Sequence, residues 1–483
     1  MNTSVYFLSF LSAAFLLGAL QAAAQTFIGS ESEWNDLAKE GPVEADVVLT
    51  GDITFAEIPE TIDLGAFDFD GGDHTIRLDS GDFPGLFRLQ GGHIRRLNLD
   101  LGDAVLIEAA GGIVVGSDEP GRNFGNLSFC SVRGNQPIQT NECGGIVGRN
   151  FGNPESRISR SVSSLDINDA RNAGGIVGLN FSGMIRNCQM LGTLREDSST
   201  SGGIIGGGLI PGQDVTIDQS VTIDQCVMAG DVLGESSGGI AGDGSYVRIS
   251  NSIMTGVVDA SRQNGSIIGV WTGYSITTAQ LLKNIYATAS TAPLIGSLNF
   301  GYFSVKLSIE DCFLPSSTAP IVGRLGGDSV IGEGILILNG VYGGSSAAPE
   351  DPHPWTVETG PSGYHTETTD LNGALGENWD SAVWQAVEDG YPVLKAFQSS
   401  PWVGYADDYE GTPHLPPQLK LGVAGGRLSL SWPAFWADWT LEECGDVAER
   451  QWAPVEVSPS GETTRTVEIS TAGKPQCFYR LTR

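Results

Sequence analysis

Residues whose types and spacing could do chemistry are sparse in this chain. Gly234-Glu235-Ser236-Ser237-Gly238 has the G-x-S-x-G spacing of a nucleophile elbow. Such an elbow needs a strand before it and a helix after it, and here the pattern runs straight into another copy of a repeated unit. The five histidines, His74, His93, His353, His365 and His414, are scattered, so no ligand cluster is readable. His74 lies within a DGGDHTI turn, where a structural hydrogen bond is expected. No H-E-x-x-H and no phosphate-binding loop is present. A glycosidase would need two carboxylates about 5–10 Å apart; a lyase would need an acidic calcium cluster with a Lys or Arg base. In a stack of coils Asp166 and Asp169 find Thr193 and Arg195 opposite them, and Asp218 and Asp224 belong to a local duplication, Val215–Cys226. The expectation is a chain that is not an enzyme and takes no cofactor. Calcium at acidic turns is an alternative without a motif behind it.

Aromatic and sulfur residues offer binding and cross-linking instead. Trp432, Phe435, Trp436, Trp439 and Trp452 crowd the C-terminal segment. Most belong in a small core; Trp436 and Trp439 are the candidate glycan contacts. Asn123-Phe124-Gly125, Asn150-Phe151-Gly152 and Asn180-Phe181-Ser182 recur, which predicts an asparagine ladder and an aromatic stack at a repeated corner. An outward row of these Phe rings, a platform for sugars, is the rival reading. Cys130, Cys188, Cys226 and Cys312 share one slot of successive repeats with Ser161 and Ser252. A slot taking Cys or Ser is small and inward, so stacked thiols are expected there. Cys444 and Cys477 form the candidate disulfide.

The elements that must position these residues come from one phrase. GGIVG stands at Gly144 and Gly174, with variants from Gly111, Gly202, Gly238, Gly265, Ala292 and Ala319. The spacing settles at 27 residues, the signature of one supersecondary unit stacked many times. Runs such as Ile185–Leu194, Ile223–Val232 and Ile249–Val258 alternate apolar and polar residues, the period of a strand. The fold class expected is all-β: a right-handed parallel β-solenoid of about ten coils with terminal caps, followed by a small β-sandwich-like module. Residues 1–24 read as a secretory signal, with an uncharged run Val5–Leu20 and small residues before Gln25. No Lys or Arg precedes that run, and an uncleaved anchor is the alternative. Residues 25–109 form the N-terminal cap and first coils, opening with a helix over Ser30–Lys39. Residues 110–343 are the repeat solenoid, 344–397 its C-terminal cap, 398–418 a Pro-rich linker and 419–483 the C-terminal module.

A formal charge of −31 over 483 residues, with 26 basic and 57 acidic side chains, speaks against nucleic acid. It also disfavours anionic lipids and polyanionic glycans. After signal removal no further apolar run is long enough to span a membrane.

The repeat, together with VVLTGDITF, FDGGDHTI (Phe69–Ile76), GLF at Gly85 and WDSAVWQAVEDGYPVL, resembles the GLUG-motif family of secreted and surface-exposed bacterial proteins. The resemblance spans about residues 26–397; coils from Gly265 onward lose one or both leading glycines. It implies a β-solenoid associated with adhesion or large secreted proteins, and it carries no catalytic residues to transfer. The last 65 residues look like short β modules that end many secreted bacterial proteins in an FYRL-type strand. The function expected is non-catalytic adhesion or extracellular binding at the cell surface or in secreted form, with a protein or glycan partner. The rivals are a polysaccharide lyase or glycosidase, and glycan binding through the C-terminal aromatics.

Overall fold

The computed structural model describes residues 25–117, 123–149, 151–179, 181–195, 200–207, 221–244, 247–259, 264–273, 278–287, 292–300, 305–314, 319–325, 334–343, 346, 355–362, 364–365, 379–385, 392–397, 420–424, 427–433, 440–444, 453–455, 464–470 and 478–482. The signal, the first part of the duplication, the linker, Trp436, Trp439 and Cys477 lie outside these residues.

Alternation of apolar and polar residues builds one long parallel stack. Gln25–Ile28 pairs with Asp46–Leu49, then Phe69–Asp70, Gln90–Asp100, Phe124–Arg133, Arg157–Ser159 and Met184–Arg186 follow in register. Val221–Asp224, Val247–Ser250, Thr278–Lys283, Val305–Glu310, Gly334–Asn339 and Trp355–Thr359 continue it. The protein is therefore an all-β parallel β-solenoid. Its rungs begin ahead of the GGIVG repeats and run past Gly343, so this one stack holds thirteen strands, more than the ten coils expected. At about 4.8 Å per rung the stack is roughly 60 Å long.

The Cys/Ser slot is an interior column, and its chemistry explains why either residue serves. Ser161 Oγ donates to the carbonyl of Ser159 at 2.9 Å and Ser252 Oγ to that of Ser250 at 2.7 Å. The thiols of Cys188 and Cys312 make the same bond two residues back, at 3.4 and 3.2 Å. All four cysteines of the slot are buried and free, as is Cys143. Burial pushes the Cys130 thiol up to about 12 and that of Cys143 up to about 11, so both stay protonated at neutral pH.

GGIVG forms a second interior column. Gly111, Gly144, Gly174, Gly202, Gly238 and Gly265 bridge one to the next, and Ile113, Ile146, Ile176, Ile204, Ile240 and Ile267 beside them are buried. The backbones approach so closely that a Cβ on Gly174 would run into the Val177 carbonyl oxygen and the Gly206 N of the next coil. Of the expected aromatic stack, Phe151 and Phe181 are parallel at 6.1 Å and both fully buried, so they offer no outward platform, whereas Phe124 is half-buried opposite Gln90. Of the asparagines expected to form a ladder, Asn123 sits opposite Phe151 and Asn150 and Asn180 lie outside the described residues; elsewhere Asn284 Nδ2 donates to Asn251 Oδ1 at 3.0 Å.

The first rung is closed as expected. Helix α1, Glu31–Glu40, is capped by Ser30, whose hydroxyl accepts from Glu33 N and whose Oγ donates to Glu33 Oε2 at 2.9 Å; this is a capping box. Its inward Trp34 packs against Phe55 and Phe87, at 5.5 and 5.4 Å between ring centres.

The C-terminal segment departs from expectation. Trp379, Trp384, Leu394 and Phe397 do not close the last coil; they cluster with Val162, Val227, Ile253, Tyr286 and Phe313 on the flank of the stack. Trp384 Nε1 donates to Asn251 Oδ1 at 3.3 Å, several coils before the end. There both tryptophans are buried against outward residues that are themselves apolar, which removes both surfaces from water. Beyond lies the module of two three-stranded antiparallel sheets, with Leu430, Leu441 and Val467 buried. Among the described residues no helix is long and apolar enough to cross a membrane.

Candidate binding surface

Across a corner from the flank covered by the tryptophans, the preceding strand of the N-terminal coils carries arginines. Strand side chains alternate, so with Ile94, Leu127, Ile158 and Ile185 buried their neighbours point outward. Those neighbours include His93 and Arg95 on one coil, Arg157 two coils on and Arg186 on the next. Arg77 and Arg133 stand in register with Asp100 between them.

Two carboxylates set the positions of four of these arginines. Arg96 Nε donates to Asp70 Oδ1 at 3.0 Å and Arg95 Nη2 lies 3.1 Å from Asp70 Oδ2. Asp100 Oδ2 lies 3.3 Å from Arg77 Nε and 2.9 Å from Arg133 Nη2. Burial raises both carboxyls, but this is outweighed. Arg96 and the Gly72 N–H hold Asp70 below the ordinary value, and the Gly102 N–H with Arg133 and Arg77 does so for Asp100. Further along, Arg160 lies over the Phe129 ring at 5.1 Å and Arg186 Nε lies 3.2 Å from Asp224. Arg157 is exposed and its Nη1 contacts only the thioether of Met184, at 3.5 Å; no acid among the described residues pairs with it. His93 Nε2 lies 2.7 Å from Ser128 Oγ, and His93 N donates to Asp68. That contact has the spacing of a base and a hydroxyl, and both groups are half-buried strand residues.

The corner beside this strand has a left-handed backbone on nine successive coils, from Gln90–Asp100 to Gly334–Asn339. Its occupants are Arg96 (φ 52), Phe129 (55), Arg160 (48), Asn187 (53), Gln225 (53), Asn251 (47), Asn284 (54), Asp311 (51) and Gly340 (65). Asn, Asp and Gly tolerate this conformation, whereas other residues sit there at a cost of about 1–2 kcal/mol. In the later coils tolerant types predominate. On the first three of these coils the corner holds Arg96, Phe129 and Arg160, where Asn or Gly would be more stable; the coil of Arg186 already has Asn187. Such strain collects at functional sites.

Neither the corner nor the arginine face was found from sequence. The signal was present: between Arg77 and Arg195 stand twelve arginines, no lysine and eleven acids, while the rest of the chain holds 14 basic residues against 46 acidic. The whole-chain charge of −31 conceals a stretch that is slightly positive. A cavity of about 240 Å³ opens on the GGIVG side, lined in part by Arg88, Glu108 and Arg149, with Arg149 held by Glu142 at 2.7 Å.

The residues singled out for chemistry are placed as follows. Asp166 accepts from Thr193 N at 2.8 Å and lies 3.3 Å from Arg195, the two residues expected opposite it. Asp224 is held by Arg186, and Asp218 lies outside the described residues. Ser236 and Ser237 sit at a coil corner, with Ser236 at φ 55 and Ser237 buried, not at a strand–helix elbow. His74 Nδ1 lies 3.4 Å from Asp52, and His365 stacks on Tyr342. Among the described residues no three His, Cys, Asp or Glu come together as a metal site. Cys444 ends the strand Thr440–Cys444 opposite Phe478, while Cys477, Trp436 and Trp439 lie outside the described residues.

No family model and no curated protein matches this chain. One solved structure is similar, described as a putative immunoglobulin A1 protease from Bacteroides ovatus. It is 17% identical, the match covers 77% of this chain and 92% of that one, and the TM-score is 0.33. That description overturns the expectation of a chain that is not an enzyme, and the correction stops there: at this identity and TM-score the likeness carries no activity, substrate or site to these residues.

Proposed function

We propose that the mature chain is a secreted or cell-surface binding rod, of the kind its GLUG-like repeat suggests, and that the arginine face of its N-terminal coils is the contact surface. Its partner is an extracellular glycan or protein. One observation carries this reading: arginines stand out from the N-terminal coils, four of them (Arg77, Arg95, Arg96 and Arg133) fixed by two shared carboxylates, and two of them, Arg96 and Arg160, at left-handed corners where Asn or Gly would hold the fold better. Stability alone selects Asn or Gly at those corners, as the later coils do; ligand contact selects Arg.

The test is a screen of glycans and polysaccharides on the purified mature chain, read for retention and for released products. The reading expects retention that is lost in Arg157→Glu/Arg186→Glu and kept in Trp436→Ala/Trp439→Ala. The opposite pattern would move the contact to the C-terminal module and overturn it. Released oligosaccharides would add a bond-breaking step to the same surface. N-terminal sequencing of secreted material, expected to begin at Gln25, tests the compartment.

A further inference from the structure

We infer that the ligand of the arginine face is a linear polysaccharide bearing carboxylates or sulfates, lying along the rod axis across successive coils. The inference rests on the binding role proposed above and names the chemistry of its partner.

The choice of cation is the first argument. Every basic residue from Arg77 to Arg195 is arginine. The planar guanidinium meets a carboxylate or sulfate with two parallel N–H bonds, which the point charge of lysine does not match. The layout is the second. Arg95 and Arg186 occupy one outward column, three coils apart, with Ser128 and Ser159 between them. At about 4.8 Å per rung that is roughly 14 Å along the axis. The neighbouring column runs His93, Asn126, Arg157. Arginines on these columns are thus separated by neutral hydrogen-bonding groups along a straight track. A chain of sugars carrying an acid on some rings and hydroxyls on all of them has the matching pattern. Nucleic acid fits less well, because single strands are held by rows of aromatic rings under the bases, and the rings described beside this track are Phe129, already under Arg160, and the half-buried Phe124, which do not form a row.

Three acids on the face are satisfied from within, while the exposed Asp68 accepts the backbone N–H of His93. Asp70, Asp100 and Asp224 each hold arginine, so they aim guanidinium groups outward and do not repel a ligand at full charge. Local geometry therefore outweighs the global charge that disfavours polyanions, because solution screening confines repulsion from distant acids to about 8–10 Å.

The experiment uses the full mature chain on five immobilised matrices: polygalacturonate, dextran sulfate, neutral dextran, poly-L-glutamate and double-stranded DNA. Wild type is compared with Arg157→Gln/Arg160→Gln/Arg186→Gln and with Arg171→Gln, whose arginine precedes the corner at Asn172 on another side of the coil. Circular dichroism and melting confirm that each variant is folded. The expected result is retention on polygalacturonate or dextran sulfate, weakening with salt, with affinity falling about tenfold or more in the triple variant and unchanged in Arg171→Gln. Which of those two matrices holds the chain better decides between carboxylate and sulfate. Stronger retention on poly-L-glutamate or DNA, lost in the triple variant, would overturn the polysaccharide while leaving the face as the contact surface. Equal retention of wild type and triple variant on every matrix, or none at all, would overturn the inference, and the former would overturn the binding face with it.

Discussion

Two outward faces of this solenoid, one on either side of a corner, are used in two ways. The outward slot that follows the Cys/Ser column holds Ser131, Val162 and Gln189 in the middle coils, then Val227, Ile253, Tyr286 and Phe313. Over the apolar end lie Trp379 and Trp384, drawn in from the chain's own C-terminal segment. On the strand before the corner stand the columns of Arg157 and Arg186, both exposed, and these continue as Thr222 and Arg248 and as Asp224, Ser250, Lys283 and Glu310. The corner residues change along the same line, from Arg96, Phe129 and Arg160 to Asn251, Asn284 and Asp311. The repeat fixes what points inward and leaves the outward slots free. One face spends them on intramolecular packing and the other on charge.

The largest expected effect breaks the packed face. Trp384→Ala removes a buried indole and its bond to Asn251, and should cost about 3 kcal/mol in denaturant unfolding. It should also raise binding of a hydrophobic dye as Tyr286 and Phe313 lose their cover, with retention on acidic polysaccharide unchanged. Loss of that retention would mean the faces are coupled. Asp70→Asn acts on the charged face, leaving Arg95 and Arg96 without their shared carboxylate, for about 1–2 kcal/mol. The pH dependence has the same origin. Asp70 and Asp100 titrate lower folded than unfolded, so their contribution is complete above about pH 4 and is lost as pH falls through the lower folded value. The Asp70→Asn/Asp100→Asn variant should show a flatter acid limb in melting temperature against pH; an unchanged limb would place the acid sensitivity elsewhere. The smallest effect is the most discriminating. Arg160→Asn relieves about 1 kcal/mol of left-handed strain and forfeits about 0.5 kcal/mol of attraction to Phe129. Stability should hold or rise slightly while retention falls; a fall in both would make Arg160 a structural residue.

Much of the interior was legible in the sequence because interior slots obey strict rules. Alternation gave the strands, the Cys/Ser exchange marked an inward column, and matching repeats placed Thr193 and Arg195 opposite Asp166. Outward features follow no such rule. Trp379 and Trp384 announce that something is covered, not which surface, so they read as an end cap and prove to lie on the flank. The left-handed corner was visible in Asn187, Asn251, Asn284 and Asp311, each one residue before the slot; Arg96, Phe129 and Arg160 disguised it. The arginine face was hidden by addition, since a sum over 483 residues erases a local excess.

The most direct measurement is amide hydrogen exchange of the mature chain with and without the acidic polysaccharide that retains it. Added protection should appear in Gln90–Asp100, Phe124–Arg133, Arg157–Ser159 and Met184–Arg186, and not at Trp384–Gln385 or in the strands from Lys420 onward. Protection centred on the C-terminal module, with the arginine-bearing strands unchanged, would contradict the division between the two faces.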